Sequence, residues 1–264
     1  TGVTTGHCNI AIGCSSMEDV STGCYNLAIG SGGLKQLTTG CFNIAIGDTP
    51  LNVSTEGSGN IGIGRGAMAG GNVSGDDNIA IGFGSADALL GGHTNVAMGT
   101  NALGAMTVGV RNIAIGDAAM AGVTTSSAWN YAVAIGHCAL HGSGSSAAAS
   151  NIGIGYFAGR DITTGAQNVA IGANAMYRNT TGDFNVAIGP TAMSGASLTG
   201  NDNIAIGRDA ADALAGGACN IAIGINALGA ATTGNLNIAI GNTACLLYTS
   251  PSPRDATLSR MPSS

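Results

Sequence analysis

The chain has 264 residues, of which 45 are glycine, 8% are charged and 4% are aromatic, a composition unlike that of a mixed globular domain. An apolar content of 45% excludes the disorder signature, and no apolar run approaches the roughly 18 residues of a membrane span. A formal charge of -6 leaves no basic stripe for a phosphate backbone, so nucleic acid is set aside as a partner.

The sequence opens at Thr1 in the middle of a repeat and reads as a piece of something longer, so targeting information is missing rather than negative. Seven cysteines, scattered over several phases, do not form a small secreted disulfide framework.

The dominant signal is a pentapeptide of the form Asn-Ile-Ala-Ile-Gly, whose Gly falls at 13, 30, 47, 64, 82, 99, 116, 136, 155, 172, 189, 207, 224 and 241. Its first position is Asn in thirteen of the fourteen copies, and Ala132 is the exception. The spacing is 17 residues, sometimes 18, and 20 then 19 around Ala132. The whole unit approximates Gly-x-x-Ala-Leu/Met-x-x-x-Thr-Thr-Gly-x-x-Asn-Ile-Ala-Ile. Glycine at this density excludes helix, since each costs about 1 kcal/mol relative to Ala in a helix interior. Ile10 and Ile12, two apart, share one face of a short strand, and Asn9 and Ala11 share the other.

This pattern predicts an all-β chain, a parallel β-solenoid or β-roll of about fourteen coils of 17–18 residues. The Ile pair is expected to face the core, leaving a small, flat Asn/Ala face outward for packing against another copy. A second apolar site four residues after the Gly (Met17, Leu34, Met68, Leu103, Met120, Leu140, Met176, Met193, Leu228) is expected to form the opposite wall. Gly supplies positive-φ corners. The Asn is expected either to take a left-handed conformation or to hydrogen-bond up the stack as a ladder. At about 4.8 Å per coil the rod would be about 65–70 Å long. So thin a core makes oligomerisation the economical way to offset the ordering cost.

A longer period lies above the first. The Asn positions from 26 to 112 reappear from 151 to 237, each displaced by 125 residues, and 86–89 (Ala-Asp-Ala-Leu) recurs at 211–214. The solenoid domain, 1–244, is therefore read as two seven-coil blocks, about 1–125 and 126–244. An enlarged loop near 120–150 marks the junction, with Ser126, Ser127 and the run Ser143 to Ser150. The final segment, 245–264, abandons the repeat, holds three of the five prolines and looks like translated adapter sequence; it is expected to be artefactual and disordered.

Asn-Ile-Ala-Ile-Gly followed by a Gly/Ala-rich turn resembles the head repeats of trimeric autotransporter adhesins, the YadA-like head. It also resembles the Thr-Thr-Gly-x-x-Asn-x-Ala-Ile-Gly-x-x-Ala-Leu arrays of tail-fibre-like surface proteins. The likeness covers about residues 1–242. It implies a left-handed roll, three chains side by side, and display on a cell surface or virion fibre for adhesion to a host surface, a matrix polymer or a glycan. The classical adhesin head has a shorter repeat, and these coils carry extra residues in the Thr-Thr-Gly loop.

No residue is assigned a catalytic, cofactor-binding or metal role, and the chain is not read as an enzyme. Gly62-Ile-Gly-Arg-Gly66 and Gly153-Ile-Gly-Tyr-Phe-Ala-Gly159 lack the helix that a dinucleotide loop requires. His137, Cys138 and His141 offer soft and imidazole ligands without a fourth. Cys24 and Cys41 share a phase in consecutive coils, close enough to bridge, although stacked parallel side chains seldom point correctly. The acids Asp48, Asp76, Asp77, Asp117, Asp161 and Asp183 read as solvated corners rather than the paired carboxylates of a cleft. The Thr pairs 4–5, 38–39, 124–125, 163–164, 180–181 and 232–233 raise ice binding as an alternative, although the row is broken at Val73-Ser74 and Gly216-Gly217.

Overall fold

The computed structural model describes residues 5–123, 129–142 and 149–245. Fourteen strands run from β1 (Ile10–Ile12) to β14 (Ile238–Ile240), and they form one parallel sheet in strictly sequential order. The chain is thus a β-solenoid, and no helix occurs among the described residues. Most strands are three residues long; β2 (Leu27–Ser31) and β3 (Ile44–Asp48) extend to five. Register is held through the junction coil, where β7 (Ile113–Ile115) pairs with β8 (Val133–Ile135) as Ile113 with Val133, Ala114 with Ala134 and Ile115 with Ile135. Of the loop residues read as the junction, Ser126, Ser127 and 143–148 lie outside the described residues, as does all of the tail beyond Cys245.

The strand faces are opposite to the expectation from hydrophobicity. From β2 to β14 the central residue of the strand, Ala in all but two, points inward and is buried, as at Ala45, Ala114 and Ala205, and the larger apolar residues on either side point outward. The cause is the width of the lumen. At the two coils where Gly replaces the central Ala, a Cβ would already lie 3.3 Å from Leu51 Cδ1 (Gly62) or 2.7 Å from Leu140 Cγ (Gly153). There is no room for a branched side chain at that position. The large interior groups come instead from the wall facing the sheet. They are the Leu/Met four residues after the Gly, as expected, and a second apolar site six residues before the Asn, at Val20, Leu37, Leu89, Met106, Ile162 and Leu214.

Burying Asn with the alanines is tolerated because each amide is satisfied by its neighbours. Asn95 Nδ2 donates to Asn78 Oδ1 at 3.0 Å and to the Gly109 carbonyl at 2.7 Å, and its own Oδ1 accepts two bonds from Asn112. The pattern recurs along the stack, for example at Asn43, Asn203 and Asn220. Of the two roles expected for this Asn, the structure selects the ladder. The left-handed residue is the one before it, such as Tyr25, Phe42 or Cys219, with φ of 58°, 61° and 58°. At Ala132 the side-chain ladder is interrupted: the Ala132 N–H still donates to Asn112 Oδ1 at 3.0 Å, but alanine has no side-chain oxygen with which to continue it.

Most coils turn at four positive-φ positions. The Gly closing the strand has φ near 130°, as at Gly207, where a Cβ would lie 2.5 Å from the Gly224 carbonyl oxygen. Non-glycine residues hold left-handed φ two and four residues later, as Asn226 and Leu228 do, and again just before the Asn. That conformation costs about 1–2 kcal/mol per L-residue, and the coil-to-coil bonds offset it.

Candidate functional site

Two features of the surface stand apart from the coil's own structural needs. The first is the outward face of the sheet. Because the strands stack in register, the residues flanking each central Ala form two aliphatic columns: Ile204 over Ile221 over Ile238 in one, Ile206 over Ile223 over Ile240 in the other. In the middle of the rod several of them are more than a third exposed, Ile115, Ile188 and Ile206 each at 37%, and the others are partly buried. A soluble monomer seldom presents so long a continuous apolar strip.

The second feature is a cluster of rings and charges at the corner that follows the strands of the eighth to tenth coils. The His137 and Tyr156 rings stack with centroids 5.5 Å apart, and Tyr156 meets Phe157 at 4.0 Å. Phe157 lies edge-on to Tyr177 at 5.8 Å, and the Arg160 guanidinium sits over both Phe157 and Tyr177, at 5.1 and 5.2 Å. Arg160 Nη1 also donates to the Tyr177 hydroxyl. Carboxylates border the rings: Asp117 Oδ2 lies 3.2 Å from His137 Nδ1, and Asp161 Oδ1 lies 3.6 Å from Arg160 Nε. A smaller stack of His7, Tyr25 and Phe42 occupies the first three coils, with Tyr25 and Phe42 parallel at 5.1 Å.

The residues weighed in the sequence as possible chemistry take structural places. Cys138 Sγ contacts His137 Nε2 at 3.4 Å, while His141 is half-buried, its pKa lowered chiefly by burial and further by the Arg160 charge. Burial, reinforced by Asp117, raises the Cys138 thiol. Among the described residues no group of three His, Cys, Asp or Glu side chains is arranged to hold a metal ion. Cys24 and Cys41 are free thiols, and Cys41 Sγ accepts the Cys24 N–H at 3.2 Å. Both Gly-rich strings are a strand followed by a corner.

Two of the acids, Asp76 and Asp183, belong to a second, outer ladder that sequence reading missed. Two residues before the Asn, a side-chain acceptor takes the N–H of the equivalent residue one coil earlier. Ser58 N–H donates to Asp76 Oδ1 at 2.9 Å, Ala166 N–H to Asp183 Oδ1 at 2.7 Å, and Asp183 N–H to Asn201 Oδ1 at 2.9 Å. The signal was present as a phase rich in Asp, Asn, Ser, Cys and His. In the Thr pairs 38–39 and 163–164 the first Thr is likewise engaged within the rod, Thr38 Oγ1 donating to the Thr55 carbonyl and Thr163 Oγ1 to the Thr180 carbonyl, at 2.9 and 2.7 Å, while Thr4, Thr124 and Thr125 lie outside the described residues.

No protein-family model matches the chain, and no curated protein matches it significantly. Among the described residues no helix is long and apolar enough to cross a membrane.

Proposed function

We propose that this chain is a structural, non-catalytic rod that packs side by side with further copies of itself through its Ile/Val columns and serves attachment as part of a surface head or fibre. The observation that carries the reading is the outward aliphatic strip, in register over fourteen coils. A second copy of the chain is the partner best matched to it, because an identical rod offers the same flat strip at the same repeat over the same length. The likeness of the repeats to trimeric adhesin heads favours three copies, display outside the cell and adhesion to a host surface, matrix polymer or glycan. An extended array of equivalent coils suits that task, since many weak contacts add to high avidity.

Sedimentation equilibrium of the full chain, over a hundredfold range of concentration, tests the self-association. The expected mass is three times that of one chain, falling toward one when Ile188 and Ile206 are replaced by Lys. A wild-type chain that stays monomeric while giving the circular dichroism of a folded β-protein overturns it. Beads coated with the chain, but not with the double variant, are expected to adhere to matrix-coated surfaces.

A further inference from the structure

The two aliphatic columns are bordered on each side by one further column. On the Asn side it is formed by the residue just before each ladder Asn, where Tyr25, Phe42 and Phe184 are at least half exposed. On the Gly side it is formed by the residue just after the Gly that closes each strand, among them Phe83, Tyr156 and Ile225. Of the exposed large apolar side chains among the described residues, all but Leu90 fall in these four columns. The strip therefore has two margins of different composition, and the charged residues on them are unevenly placed.

We infer that charges on these margins set the polarity and register of the copies: neighbouring rods lie parallel, coil against the same coil, with the Asn-side margin of one meeting the Gly-side margin of the next. The inference rests on the side-by-side packing proposed above and names the residues that specify it. Symmetry supplies half of the argument. When identical strips face a common axis parallel to the rods, a closed ring of two or three copies has no axial offset, and unlike margins meet. The charges supply the other half. The Asn-side margin carries three, Asp77, Arg111 and Asp202, all exposed. At the level of Arg111 the Gly-side margin presents Asp117, and at the level of Asp202 it presents Arg208. At the level of Asp77 it presents Phe83, over whose ring the Arg65 guanidinium lies, 4.4 Å from the centroid. Each Asn-side charge thus meets its opposite. Arg111 and Asp117 even lean the same way along the rod, onto Tyr131 and His137 of the following coil.

Antiparallel pairing fits the margins less well. It sets like margin against like margin, first coil to last, so that Asp77 meets Gln167, Arg111 meets Tyr131 and Asp202 meets Phe42. All three Asn-side charges then face uncharged groups, and only the other margin gains opposite partners, Asp48 with Arg208 and Asp117 with His137. A charge withdrawn from water beside an apolar strip is costly unless it is paired, which favours the parallel arrangement, where Asp48 is the one margin charge left unmatched. The first coil carries a probe of the difference. Cys8 and Cys14 are exposed free thiols on its two margins; parallel rods bring Cys8 of one copy to Cys14 of the next, whereas antiparallel rods place them against Leu236 and Asn242.

Charge reversal in the full chain, read by sedimentation equilibrium, tests this. Arg111→Asp and Asp117→Arg are each expected to weaken association about tenfold or more, with the circular dichroism of the fold unchanged. The double variant Arg111→Asp/Asp117→Arg is expected to recover to within about threefold of the wild type, because the reversed pair forms again between copies. Within one chain the two residues stand on opposite sides of β7 and make their contacts elsewhere, Arg111 with Tyr131 and Asp117 with His137, so recovery reports a contact between copies. Oxidation of the wild type with diamide, which takes up the two electrons and two protons that a pair of thiols releases, is expected to join chains through Cys8 and Cys14, as located by peptide mass mapping. Single reversals that associate as tightly as the wild type, a double variant no tighter than the singles, or chains that associate but join through other cysteines or not at all overturn the inference. In each of those cases association that is still lost when Ile188 and Ile206 are replaced by Lys leaves the side-by-side packing standing. A folded wild type that stays monomeric overturns both.

Discussion

Asn95 Oδ1 accepts two hydrogen bonds from one residue of the next coil, the Asn112 backbone N–H at 3.0 Å and the Asn112 Nδ2 at 3.1 Å. Both residues are buried, so the ladder holds the rod's interior together where there is no water to replace a lost partner. Replacing Asn95 by Ala leaves the Asn112 N–H and the Gly109 carbonyl each short of a bond, and an unsatisfied buried group costs about 1–3 kcal/mol. Asn95→Ala is therefore expected to destabilise by about 2–5 kcal/mol in urea unfolding. Asn95→Asp is expected to be no better, because a carboxylate can accept from Asn112 but cannot donate to Gly109 or Asn78.

The parity of the strand was legible in the sequence, and its direction was not. Ile at two-residue spacing, opposite Asn and Ala, told which side chains share a face. Hydrophobicity then put Ile inside, because burying an amide is costly unless it is fully bonded, and that bonding comes only from the copy of itself in the next coil. A better indicator was size. The central strand position is never larger than Ala in fourteen coils, while the flanking positions vary among Ile, Leu, Val and Met. A site that admits no variation in volume is a packed interior, and one that admits it is a surface. The Leu/Met wall and the glycine corners were legible because spacing alone reveals them. The aromatic cluster was not, because its members come from three coils and only the stacking of coils brings them together.

This inversion predicts opposite outcomes for adjacent residues. Ala205 is fully buried and Ile206 is 37% exposed. Ala205→Leu forces a branched side chain into the lumen and is expected to cost at least about 1–3 kcal/mol. Ile206→Ser, measured at a concentration where the chain is monomeric, is expected to cost under about 1 kcal/mol. Equal destabilisation by the two, or a larger effect of Ile206→Ser, would return the isoleucines to the core.

Gly207 and Gly241 share a φ near 130° and differ in what lies above them. A Cβ on Gly207 would meet the Gly224 carbonyl oxygen at 2.5 Å, whereas one on Gly241 would find only Ala244 Cβ at 4.0 Å. Gly207→Ala therefore adds a backbone collision to the conformational strain, and the stacked coils cannot move apart without breaking their hydrogen bonds. It is expected to cost more than about 3 kcal/mol, against about 1–2 kcal/mol for Gly241→Ala, where strain acts alone. Thermal melts of the two single variants check the difference; comparable losses would show that strain, not coil contact, dominates at this corner.

His141 ties the junction coil's stability to pH. Its folded-state pKa lies below the ordinary 6.5, first because burial penalises the imidazolium, then because Arg160 repels it, with Asp161 acting in the opposite direction. The unfolded chain therefore binds the proton more readily than the folded one. Stability from this group is fully present above about pH 6.5 and is lost as pH falls through the folded-state value. Melting temperature is expected to drop between pH 7.5 and 5, and His141→Asn, which stays neutral, is expected to show a shallower drop. Arg160→Lys leaves the positive charge in place and is expected to keep the wild-type slope, which separates the electrostatic role of that residue from its stacking on Phe157 and Tyr177. A His141→Asn profile parallel to the wild type would place the pH dependence on other groups.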